Sequence, residues 1–69
     1  MVEENFLTPL EVKRLQMLIK HGGNLKKAAE ASCVSVHTFK NELAWIRAKL
    51  GARTTLEAVI WAFQKGVVQ

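Results

Sequence analysis

The sequence predicts an all-α protein, a compact four-helix bundle containing a helix-turn-helix, and three observations predict it. Thr8, Asn24, Ser35 and Thr54 each precede a stretch with apolar residues at helical spacing. Gly22-Gly23, Gly51 and Gly66 stand just past three of those stretches. No segment alternates as a strand would, and the closing "GVVQ" is too short to pair alone. Helices are expected over about 9-21, 25-31, 36-50 and 55-65.

The first helix opens at Thr8-Pro9-Leu10-Glu11, where Thr8 caps, Pro9 suits the first helical position and Glu11 completes a capping box. Val12, Leu15, Leu18 and Ile19 form its apolar side, and Gly22-Gly23 ends it. Asn24 caps a short second helix whose apolar side is Leu25, Ala28 and Ala29. Ser32-Cys33-Val34 has little helical drive and reads as the turn before Ser35, which caps the third helix. Thr54-Thr55-Leu56-Glu57 repeats the capping-box arrangement for the fourth.

The chain of 69 residues makes one domain, with residues 1-6 expected as a flexible N-terminal segment. Cys33 is the only cysteine, so no disulfide is expected, and a lone thiol suits a reducing, cytoplasmic setting. The longest apolar run, residues 58 to 63, is far shorter than a membrane span, and no membrane partner is expected. The net charge of +4 lies wholly in residues 23 to 53, which hold Lys26, Lys27, Lys40, Arg47, Lys49 and Arg53 against Glu30 and Glu42. Such clustering suits a polyanion, or equally a solvated basic surface.

The orientation of the third helix is more specific. At about 100° per residue, Phe39, Leu43, Ile46 and Leu50 fall within roughly 60° of arc and form the buried stripe. His37, Asn41, Ala44 and Ala48 lie opposite, flanked on one edge by Lys40 and Arg47. Polar or small residues there, with two cations on the rim, suit a surface entering a DNA groove. Asn41 can pair with adenine edges, Lys40 with guanine acceptors or phosphate, and Ala44 can touch a thymine methyl. Glu42 falls on the other shoulder, off this arc, where Lys49 or a neighbouring helix can partner it. Trp45 shares that shoulder with Thr38 and is expected to complete the packing.

Together, "LTPLE" (7–11), "LIKHGG" (18–23), "KKAAEA" (26–31), "VSVHTFKNEL" (34–43), "IRAKLGA" (46–52) and "TTLEAVIWA" (54–62) resemble, in order, the blocks of the LuxR/GerE-type DNA-binding domain. The resemblance covers about residues 6 to 68 and implies a four-helix module of bacterial transcription regulators. It implies double-stranded DNA as partner, with the third helix in the major groove and His37, Lys40, Asn41 and Ala44 at the base-reading positions. Lys26, Thr38, Arg47 and Lys49 match positions of backbone contact, and the basic Lys27 and Arg53 are expected to hold phosphates beside them. Departures are Glu42 where the family commonly has histidine, Ser32 for leucine, and Cys33 at a turn position often held by glycine. The first helix is also one residue longer than usual.

Some members dimerise through the fourth helix. Here Leu56, Val59, Ile60 and Phe63 face one way, and Ala58, Trp61, Ala62 and Lys65 the other. Trp61 on an otherwise small-residue surface points to a homodimer through Ala58, Trp61, Ala62 and Lys65, or to a tryptophan tucked under Phe6. The alternative function is a protein-interaction module of the same fold, pairing with or inhibiting another regulator through its fourth helix. An RNA-binding role is more distant, since no aromatic platform lies on the basic side. Cys33 and His37 are too few for a structural zinc site, so no metal or cofactor is expected, Cys33 being read as a small buried thiol. No nucleophile is assembled with a base, and the protein is not expected to be an enzyme.

Overall fold

A computed structural model describes residues 7–68, and the expected segment 1-6 lies outside them. The fold is all-α, with four helices in the order α1 Pro9–Lys20, α2 Leu25–Ala31, α3 Val36–Leu50 and α4 Thr55–Gln64. The long helices α1 and α4 stop one residue short of expectation, because His21 and Lys65 act as their C-caps. α3 is the hub, packing against all three other helices. No helix among the described residues is long and apolar enough to cross a membrane.

Local chemistry accounts for each boundary. Thr8 Oγ1 accepts from the Glu11 N–H at 3.2 Å while Glu11 Oε1 accepts from the Thr8 N–H at 2.9 Å, a complete capping box. Asn24 and Ser35 cap α2 and α3 by accepting from the N–H groups of Lys27 and Thr38. The expected box at α4 is only half formed. Thr54 Oγ1 accepts from the Glu57 N–H, but Glu57 Oε1 accepts from the N–H of Arg53, one residue before the cap.

The turn between α2 and α3 holds its chain reversal at Cys33, whose φ of 61° is the only positive value at a non-glycine among the described residues. An L-residue there carries a cost of about 1–2 kcal/mol, which glycine would avoid. The thiol is exposed rather than buried, because a left-handed backbone at this point turns the side chain outward from the helix pair. Val34 follows and packs half-buried against the core, as its place after the turn requires.

The core is built from Leu7, Leu15 and Leu18, Ala28 and Ala29, Phe39, Leu43 and Ile46, Ala58 and Ala62, and Val68. Three of its features depart from the sequence reading. The small-residue face of α4 points inward: Ala58 and Ala62 are buried and Trp61 is half-buried against the core. Ala58 and Ala62 are therefore not available as a dimer surface. Small side chains let the α4 backbone approach α3 closely, and the larger residues are turned to solvent. The end of the chain also contributes. Past Gly66, at φ 72°, the Val67 N–H donates to the Ala62 carbonyl and Val68 closes into the core.

The third departure is the buried charge of Arg14, for which the sequence reading named no place, while Glu42 takes one of its two expected partners, a neighbouring helix. Arg14 is buried on α1, and its Nε donates to Glu42 Oε1 on α3 at 2.5 Å, with side chains 10% and 18% exposed. Glu42 thus uses a neighbouring helix, and Lys49 is paired elsewhere, with Glu11 at 2.8 Å. Burial raises the Glu11 pKa, but hydrogen bonds from Lys49 and Thr8 and the Lys49 charge outweigh it and lower the value overall.

Candidate functional site

Two surfaces are left by this packing, one on α3 and one on α4. With Phe39, Leu43 and Ile46 buried, α3 turns His37, Lys40, Asn41 and Ala48 outward, with Ala44 half-buried among them. The structure brings the expected base-reading residues together on one exposed arc. Asn41 Nδ2 lies 3.4 Å from His37 Nε2, so the two side chains already meet one turn apart. A donor-rich arc with a small residue between its polar groups can present hydrogen bonds to flat acceptor edges.

The expected phosphate-contacting residues divide in two groups. Lys26, Lys27 and Arg53 are exposed, with no ion-pair partner among the described residues. Thr38 is exposed, its hydroxyl accepting from Ser35 Oγ at 3.0 Å. Arg47 is half-buried and spends one donor on Thr55 Oγ1 at 3.2 Å, which ties α3 to the start of α4 and leaves four N–H groups of the fork. Lys49 is held by Glu11, so meeting a phosphate would require it to leave that partner or share it.

Trp45 does not complete the packing: it is 64% exposed. Between α1 and α3 beside it lies the Arg14–Glu42 pair, with side chains 10% and 18% exposed, in the position an inward indole would share. Trp45 instead lines a shallow depression with Thr8, Leu10, Glu11, Arg14 and Glu42. The helical wheel places it on the shoulder but cannot say whether a neighbour covers that shoulder.

On α4 the outward residues are Leu56, Ile60 and Phe63, with Leu56 68% exposed. Leu56, Val59 and Phe63 form one wall of an open apolar groove of about 460 Å³, facing Leu18, Ile19 and Leu25. Of the four residues expected at a dimer interface, only Lys65 lies fully at the surface. The spacing of Leu56, Ile60 and Phe63 held this signal, since one of two apolar faces had to remain outside. Among the described residues no three His, Cys, Asp or Glu side chains gather in a metal-binding group. Comparison with protein families, curated proteins and solved structures finds no match to this chain.

Proposed function

We propose that the chain is a sequence-specific double-stranded DNA-binding domain of a bacterial transcription regulator, acting in the cytoplasm at the nucleoid with α3 in the major groove. The distribution of charge around α3 carries this reading. Glu11 and Glu42, the carboxylates on the α1 side, are each paired with a cation, while Lys26, Lys27, Lys40 and Arg53 are exposed without ion-pair partners among the described residues. A polyanion approaching the His37–Asn41 arc meets uncompensated positive charge at its margins. The resemblance of the sequence blocks to LuxR/GerE-type domains supports the same reading. His37, Lys40, Asn41 and Ala44 read bases, and Lys26, Lys27, Thr38, Arg53 and the remaining Arg47 donors hold the backbone. It requires no catalysis and no cofactor.

The test is a salt titration of binding to mixed duplexes, followed by selection of bound sites from a random duplex pool. Binding should weaken linearly in log–log form as salt rises, and one site should emerge from selection. Lys40→Ala should cost roughly 1–3 kcal/mol on that site and relax base preference there. Failure to bind any duplex at low salt would overturn the reading.

The exposed stripe of Leu56, Ile60 and Phe63 favours a second role for α4, pairing with the same helix of a second copy about a two-fold axis. The same stripe serves the alternative function, pairing with or inhibiting a related regulator. Sedimentation at tens of micromolar should show a dimer that Phe63→Glu converts to monomer; a wild-type protein that stays monomeric ends the homodimer idea.

A further inference from the structure

We infer that Trp45 is a DNA-backbone contact, laying its indole along the sugar-phosphate wall opposite the one met by Lys40 and Arg47; this rests on the DNA-binding reading above. An α-helix with its side chains is about 10–12 Å across and the major groove about 12 Å wide, so a helix in the groove brings both shoulders against phosphate walls. By helix geometry Lys40 and Arg47 lie roughly 70–90° to one side of the reading arc, and Trp45 and Thr38 lie as far to the other. One shoulder is cationic, whereas the other offers a hydroxyl and an indole, its one cation, Lys49, lying behind them and paired with Glu11.

The surroundings of Trp45 suit that task. The indole is 64% exposed, and among the described residues its N–H meets no acceptor. It stands one turn beyond Asn41, on the edge of the exposed arc. The carboxylates lining its depression, Glu11 and Glu42, are both paired with cations, so a phosphate strand would meet a neutral surface and not bare acids. Leu10, also exposed, lines the same depression and extends its apolar floor. An indole has an apolar face for deoxyribose and one donor for a phosphate oxygen, and contacts of this kind position a helix without reading sequence.

The experiment uses the selected duplex, the Trp61→Phe protein as background, and Trp45→Phe and Trp45→Ala within it, each checked for folding by circular dichroism. Trp45 emission should change saturably as duplex is added. Trp45→Ala should bind about tenfold more weakly with the slope of log affinity against log salt unchanged, because a neutral contact releases no counterion. Trp45→Phe, which keeps a ring but loses the donor, should fall between. An unchanged emission together with wild-type affinity in Trp45→Ala would overturn the inference and leave the Trp45–Leu10 surface to a protein partner. Absence of duplex binding by the parent protein would instead overturn the DNA reading itself, and this contact with it.

Discussion

Phe39→Ala is expected to leave the domain largely unfolded at room temperature. Phe39 is fully buried on α3, and α1, α2 and α4 all pack on that helix. Truncating a buried phenylalanine costs about 3–5 kcal/mol, the lost transfer energy plus the cavity that remains. A chain of this length has a total stability of roughly 3–10 kcal/mol at about 0.05–0.15 kcal/mol per residue, so the loss is a large share of the whole. Phe39→Leu, which keeps most of the volume, should cost less than about 1.5 kcal/mol and stay folded. Urea titrations followed by circular dichroism distinguish the two. A Phe39→Ala protein with a near wild-type midpoint would mean that α3 is not the centre of the core.

The second large effect is expected from Glu42→Ala. The Arg14 guanidinium is buried against Glu42, and removing the carboxylate strands the charge where water reaches it poorly. Breaking a fully buried pair costs about 3–5 kcal/mol. Glu42 retains some contact with solvent, so roughly 2–4 kcal/mol is expected here, or a fall in Tm on the order of 10–20 °C for a domain this small. The double variant Arg14→Met, Glu42→Leu should recover most of the loss, because neither member then leaves an unmatched charge. Thermal melts of the parent, Arg14→Met, Glu42→Leu and the double variant measure the coupling directly. If the double variant melts no higher than Glu42→Ala, the loss does not come from a stranded arginine.

This pair also explains how far the sequence could be read. The four helices were legible because Thr8, Asn24, Ser35 and Thr54 cap them with side chains three residues from the groups they satisfy. The arc of His37, Lys40 and Asn41 was legible for a related reason: it is what remains once Phe39, Leu43 and Ile46 are turned inward. The Arg14–Glu42 pair spans 28 positions, and no local pattern announces it. A partial signal existed, since Arg14 stands four residues before the buried Leu18 on the same side of α1 and so required an acid facing it. On α4 the periodicity defined two faces but not which one points inward, a choice made by how near its backbone comes to α3. Trp45 depended likewise on what α1 leaves uncovered, and Val68 on where the chain arrives after Gly66.

Because α3 is held by every other helix, its exposed arc is attached to the part of the molecule least free to move. Fraying that helix would mean dismantling the core, so its backbone is fixed before any ligand arrives. The entropy of ordering the surface is lost once, during folding, and little backbone disorder remains to be lost on association. Under the proposed DNA-binding reading, docking of α3 should therefore resemble a key of fixed cut more than a segment that folds around its target.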